Sequence, residues 1–259
     1  MAEAIITRAG ISGSGSGNGM IGAFITENTT FTFNKTGNWV VTVIGGGGGG
    51  GGTATNFRGT DRGREDSSDD WTYGSFGYAS GGGAGSGYIN SITQIFNKGD
   101  QYEITIGDGG TGGLGSNQNG FTGGSSFFGN LLSAEGGTGG GHHRTRSDYK
   151  DGYIPWPWGG AGGNGYINGT NGDNGWSFSG ENEYHDGNIR ANLNIDFLGG
   201  NGGKLYVLDM QTNNETGYQC GSGGNGAPTH MRPNSSNTVN VQGENGIKGG
   251  VIIRYLDEA

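Results

Sequence analysis

At 259 residues the chain has room for one or two domains, yet only 30% of it is hydrophobic, so an oily core can hold together only part of it. A net charge of −9, with no lysine-rich run and no basic amphipathic segment, argues against nucleic acid and membrane surfaces as partners. Residues 1–17 lack the apolar stretch of a secretory signal, no long apolar run suggests membrane insertion, and the single cysteine, Cys220, leaves no internal disulfide.

Residues 1–22 are small and polar with Gly-Ser alternation and read as an extended arm; with a first strand they make an N-terminal unit over 1–38, ahead of a glycine-rich body over 39–259. Apolar strands are expected at 31–33 and 39–44, folded into a hairpin around a turn at 34–38. Ten glycine-rich runs follow, at 45–52, 81–87, 107–115, 120–124, 136–141, 159–165, 169–175, 199–203, 221–226 and 243–250. Between and after them, 102–106, 205–208 and 251–256 carry the Val, Ile, Phe and Tyr of further strands.

Several runs place glycine at every third residue, as at Gly169, Gly172 and Gly175, or Gly243, Gly246 and Gly249. That period belongs to neither α-helix nor strand. It is the period of the left-handed polyproline II helix, which has no internal hydrogen bonds, so glycine-bearing helices of this type can approach until their backbones bond to one another. Four prolines and no continuous triplet repeat exclude collagen, while 10% aromatic residues and interleaved strands argue against a disordered linker. The expected fold is all-β and irregular: a sandwich of about ten polyglycine II helices with a small β structure at one end and long loops at the other.

If each run crosses the bundle once, connections fall alternately at its two ends. One end receives 39–44, 88–106, 125–135, 166–168, 204–220 and 251–256, which carry the strand signals. The other receives 53–80, 116–119, 142–158, 176–198 and 227–242, which hold all four histidines, all four prolines, four of the five tryptophans and eight of the fourteen lysines and arginines. Chemically diverse side chains thus gather at one end.

No catalytic pattern stands out. G-x-G-x-x-G recurs as chance in a chain with 64 glycines, without a strand-turn-helix context. His142 and His143 lack zinc-site spacing, the acidic stretch 65–70 lacks the ordered spacing of a calcium loop, and no G-x-S-x-G marks a nucleophile. No enzyme activity, cofactor or metal is expected. The aromatic clusters are the better candidates, because rigid aromatics among Asn, Gly and Ser supply contact area at low entropic cost. Candidate binding residues are Trp71, Tyr73, Phe76, Tyr78, Arg144, Arg146, Tyr149, Tyr153, Trp156 and Tyr184; Trp158 and Trp176, which abut glycine runs, read as structural.

The stretches 31–52 (F-T-F, then W-V-V-T-V-I and eight glycines), 96–113 (F-N-K-G-D-Q-Y-E-I-T-I-G-D-G-G-T-G-G) and 123–141 (G-G-S-S-F-F-G-N-L-L-S-A-E-G-G-T-G-G-G) resemble the glycine-rich domain of bacteriophage tail-fibre proteins. Size, run number and long loops also resemble the tip adhesins of T-even-like phages. The resemblance implies a non-catalytic virion protein at the fibre tip, whose loops at the far end of the bundle bind a host outer-membrane protein or lipopolysaccharide. A structural virion domain without a receptor role and an ice-binding protein are the alternatives. One departure concerns attachment to the fibre: those adhesins grip it through tryptophan-bearing N-terminal segments, and residues 1–38 contain no tryptophan.

Overall fold

The computed structural model describes residues 22–55, 72–79, 81–115, 118–142, 171–173, 177–184, 195–197, 199–205, 220–231 and 239–256. They form β1 (Gly22–Ile25), β2 (Thr29–Thr32), β3 (Gly37–Ile44), β4 (Thr53–Thr55), β5 (Thr72–Ala79), β6 (Ile89–Phe96), β7 (Gln101–Thr105), β8 (Ser126–Phe128), β9 (Leu132–Ala134), β10 (Ser177–Tyr184), β11 (Ile195–Phe197), β12 (Thr229–Met231), β13 (Val239–Val241) and β14 (Gly250–Tyr255), and no helix occurs among them.

Two four-stranded antiparallel sheets, ordered β1-β14-β3-β6 and β2-β7-β8-β9, enclose the main core. In β3 the alternation of a half-buried strand puts Trp39, Val41 and Val43 inside, all at most 1% exposed. From the other sheet come Ile104 and Phe128, and between the sheets lies Phe33, stacked on Phe96 with centroids 4.1 Å apart. Tyr102 stacks on Phe128 at 4.6 Å, and Trp39 meets Tyr255 edge-on at 5.0 Å. A smaller cluster joins Ile44, Leu205 and the buried Cys220, whose thiol is pushed up to about 12 by desolvation against a weaker opposing pull from Lys248.

The expected hairpin does not form. β2 pairs with β7, while β3 pairs with β14 and β6, so residues 34–38 cross from one sheet to the other. Burial of Phe33 between the sheets drives this: a hairpin would have left its ring on one face only. Gly37 makes the crossing possible with φ +153°, where a Cβ would also stand 2.6 Å from the Tyr255 ring. Residues 22–38, grouped with the arm on sequence grounds, are built into both sheets through β1–β14 and β2–β7 pairing.

The glycine runs are joined by backbone hydrogen bonds that rotate among neighbours. Gly45, Gly48 and Gly51 donate to Tyr88, Gly85 and Gly82; Gly46, Gly49 and Gly52 donate to Gly124, Phe121 and Gln118; Gly47 and Gly50 donate to Ile247 and Glu244. The carbonyls of the same run accept from Gly110 and Gly113, from Gly137 and Gly140, and from Gly224 and Ala227. These six neighbours close a ring of their own, since Gly82 donates to Gly141, Gly123 to Gly137, Gly124 to Asp108, Gly246 to Gly110, Ile247 to Ser222 and Ala84 to Gly224. Run 45–52 is therefore walled in by backbone, and every residue of it is buried. A β-strand, by contrast, bonds to at most two neighbours.

Side chains are excluded from this packing by distance. A Cβ on Gly48, Gly49 or Gly50 would lie 2.2, 2.1 or 1.9 Å from the carbonyl oxygen of Thr138, Thr111 or Asn225. Where a run reaches the surface, one position in three faces outward: Asp108, Thr111 and Leu114 are exposed, while Gly107, Gly110 and Gly113 between them are buried. The G-D-G-G-T-G-G-L-G pattern records that geometry.

Candidate functional site

Pairings between runs fix their directions. Residues 45, 48 and 51 face 88, 85 and 82 in antiparallel order, whereas 47 and 50 face 110 and 113 in parallel order. Among the described runs, 81–88, 118–124, 199–205 and 243–249 thus oppose 45–52 in direction, while 107–115, 135–142 and 221–227 share it. Gly52 donates to Gln118, Gly81 to Ala227 and Gly115 to Val241, which gathers these positions at one end; Gly45 donating to Tyr88 and Gly249 to Gly107 mark the other, where the two sheets sit.

Three two-stranded antiparallel pairs stand at the end away from the sheets: β4 with β13, β5 with β10 and β11 with β12. Several contacts bind this end to the runs. Gln242 Nε2 donates to the Gly112 carbonyl at 3.0 Å, Leu114 N–H donates to Gln118 Oε1 at 3.0 Å, and Gly115 turns the chain with φ +74°. Asn119 Oδ1 accepts from the His142 N–H at 2.9 Å, fixing the point from which the chain departs toward 143–158. Sequence reasoning treated this whole end as loops. Glycines at 74, 77 and 180 masked the strand character of β5 and β10.

A sequence model of one family, the Glycine-rich domain, matches residues 22–256. The chain belongs to that family. No curated protein and no solved structure matches it.

Within this glycine-rich domain the candidate residues divide three ways. Tyr73, Phe76 and Tyr78 lie on β5 and Tyr184 on β10, whose register sets Thr72 opposite Tyr184, Tyr73 opposite Glu183, Phe76 opposite Gly180 and Tyr78 opposite Phe178. Opposite residues, and residues two apart, share a face of a strand pair. Phe76, Tyr78 and Tyr184 therefore share one face, joined there by Phe178, while Tyr73 shares the other face with Glu181 and Glu183. Trp71, Arg144, Arg146, Tyr149, Tyr153 and Trp156 lie outside the described residues, as do His143, Trp158, Trp176 and the acidic stretch 65–70. Phe178, which the sequence places in one aromatic cluster with Trp176 and Tyr184, was not among the candidate binding residues. The signal was a period-two match of aromatics across two segments about a hundred positions apart, legible only once their register is known.

Among the described residues no three His, Cys, Asp or Glu side chains come together as a metal-holding group. Cys220 lies in the sheet-side cluster with Ile44 and Leu205.

Proposed function

We propose that this glycine-rich domain is a tail-fibre tip adhesin of a phage, and that it binds a host outer-membrane protein or lipopolysaccharide through the end of the bundle remote from the sheets. Recognition takes place without catalysis, cofactor, nucleic acid or membrane insertion. The observation that carries the reading is the alternation of run direction among the described residues, which gathers Gly52, Gly81, Gly115, Gln118 and Ala227 at the end opposite the aromatic core; in this reading the adjoining sequence segments rich in Trp, His, Pro and Arg belong to that end. A scaffold of stiff elements with chemically varied connections at one end is the arrangement in which loops carry recognition.

In this reading the runs are polyglycine II helices in three layers. One outer layer holds 118–124 and 135–142; the middle layer holds 107–115, 45–52, 81–88 and 171–173; the other outer layer holds 243–249, 221–227 and 199–205. Support comes from the period-three donation, from the closed ring of neighbours around 45–52 and from the outward period of side chains in 107–115. Eight residues at the polyproline II rise span roughly 25 Å, which is the separation the bundle imposes between the sheets and the recognising end.

The test is adsorption of the purified chain to whole bacteria, with porin-deficient and lipopolysaccharide-truncated strains alongside. Replacing Trp71, Tyr153 and Trp156 by alanine abolishes adsorption and leaves the melting temperature unchanged, because each buried aromatic anchor of an interface contributes about 2 kcal/mol or more. Undiminished adsorption of that variant would overturn the placement of the binding end. Failure of the unaltered chain to bind any strain, with host range unmoved when loops are exchanged between fibres, would instead favour a structural virion domain.

A further inference from the structure

Three neighbouring columns of side chains meet on one flank of the bundle, and each repeats every third residue. The middle column is Asp108, Thr111 and Leu114, exposed along run 107–115. On one side, run 118–124 turns positions 118, 121 and 124 toward it. Gln118 Oε1 accepts from the Leu114 N–H at 3.0 Å, Phe121 N–H donates to the Thr111 carbonyl at 2.9 Å, and a Cβ on Gly124 would lie 3.0 Å from the Asp108 nitrogen. On the other side, Gln242 Nε2 donates to the Gly112 carbonyl at 3.0 Å and Asn245 Oδ1 accepts from the Gly112 N–H at 2.9 Å. The columns therefore align in rows. Gln118, Leu114 and Gln242 make one row; Phe121, Thr111 and Asn245 make the next, about 9 Å along at three residues of polyproline II rise.

All six residues of these two rows are exposed, Leu114 and Phe121 each at 52%. Each amide has one end tied to the backbone of run 107–115, which fixes the direction of its other end. The surface thus offers donors at Gln118 Nε2 and Asn245 Nδ2, an acceptor at Gln242 Oε1, and a Thr111 hydroxyl able to serve as either, around an exposed ring and an exposed isobutyl group. None of the six carries a charge. The nearest charges lie in the following row, where Asp108 is exposed and Lys248 pairs with Glu27. At the roughly 4.8 Å spacing of hydrogen-bonded chains, three columns are about 10 Å across, so the two rows cover on the order of 100–200 Å². A stable protein interface needs about 800 Å² from each partner. The size and chemistry suit instead a small molecule with hydroxyls on its rim and C–H groups on its faces.

We propose that this flank binds a neutral oligosaccharide of two or three rings, with Phe121 and Leu114 against the C–H faces of its sugars and the amides and Thr111 bonding their hydroxyls. Aromatic and aliphatic contact supplies the affinity, and the fixed amides select among sugars by the direction of their hydroxyls. Since the columns are held by backbone bonds between runs, the site is formed before the ligand arrives and little freedom is lost on binding. A phosphorylated or carboxylated sugar would find no cation in the two rows to offset its charge. The site lies on the side of the bundle, so it stands whichever end adsorbs to bacteria.

The test is NMR titration of the ¹⁵N-labelled intact chain with four neutral probes: maltotriose, cellotriose, galactobiose and chitobiose. At least one is expected to move the backbone amides of Thr111, Leu114 and Phe121 together with the side-chain amides of Gln118, Gln242 and Asn245, while Ser91 and Thr93, exposed on β6, stay still. Phe121→Ala and Gln242→Ala each weaken that binding by about tenfold or more. Raising sodium chloride from about 50 to about 500 mM leaves it within about twofold, since no charge takes part. If none of the four probes moves these signals at tens of millimolar, the proposal is overturned, as it is if Phe121→Ala binds as the unaltered chain does. Movement on adding a detergent-solubilised porin but no sugar would put a protein there and overturn it equally. None of these outcomes bears on the loss of adsorption expected on replacing Trp71, Tyr153 and Trp156.

Discussion

Replacement of Gly110 by alanine isolates what the bundle demands of its backbone. The added Cβ would stand 2.0 Å from the Phe121 carbonyl oxygen and 2.8 Å from the Gly49 nitrogen, so the runs must separate by roughly 1.5 Å to restore ordinary contact. The Phe121 carbonyl accepts from Gly49 at 2.8 Å, and Gly110 itself donates to Gly47 at 2.8 Å. Losing both bonds costs about 1 kcal/mol each, and leaving the buried Gly49 N–H unpaired costs about 1–3 kcal/mol more. The reduced freedom of the unfolded chain returns about 0.4–1 kcal/mol. The net is a loss of roughly 2–4 kcal/mol, equivalent to about 5–15 °C in melting temperature for a domain of this size. Differential scanning calorimetry reads it directly, with Thr111→Ala, one residue away and exposed, as a control that moves stability by less than about 0.5 kcal/mol. A Gly110→Ala chain that melts with the wild type would refute the close packing of runs.

Gly37→Ala should destabilise more than Gly99→Ala in the same assay: both sit at positive φ, at +153° and +95°, but only the first drives a Cβ into the Tyr255 ring, while nothing lies within 4 Å at the second. Cys220 should resist thiol reagents in the folded state and react on unfolding, because burial suppresses its thiolate. Its contribution to stability is constant below its ordinary pKa of 9.0, where both states keep the proton; between 9.0 and about 12 only the unfolded thiol ionises, so stability falls with rising pH. The slope is about 1.4 kcal/mol per pH unit, and Cys220→Ala should abolish it when urea midpoints are compared across that window. On the ribbon of β5 and β10, Phe76→Ala with Tyr78→Ala should weaken bacterial adsorption more than Tyr73→Ala, since the first two share a face with Tyr184 and Phe178; equal effects would deny the faces distinct roles.

Much of the scaffold was legible because glycine packing writes itself into sequence as a period. The strand at 39–44 appears within Gly37–Ile44, that at 102–106 as Gln101–Thr105 and that at 251–256 as Gly250–Tyr255, each marked by β-branched and aromatic residues. Alternation of ends, argued from run number, agrees with the directions of those runs whose cross-run hydrogen bonds fall among the described residues. Pairing partners were less legible. The turn at 34–38 looks like a hairpin locally, and only the burial of Phe33 against Phe96, more than sixty residues away, decides otherwise. At the end away from the sheets β5 and β10 escaped notice because glycine interrupts both, and neither strand contains the information that fixes its register with the other.

The central claim is that run 45–52 bonds to six neighbours in rotation. Scalar couplings across hydrogen bonds, measured by NMR on the uniformly labelled chain, report each donor with its acceptor carbonyl. The account predicts that Gly45, Gly46 and Gly47 couple to Tyr88, Gly124 and Ile247, with the cycle resuming at Gly48 to Gly85. Consecutive amides that instead alternate between two neighbouring segments, as in a β-sheet, would contradict it.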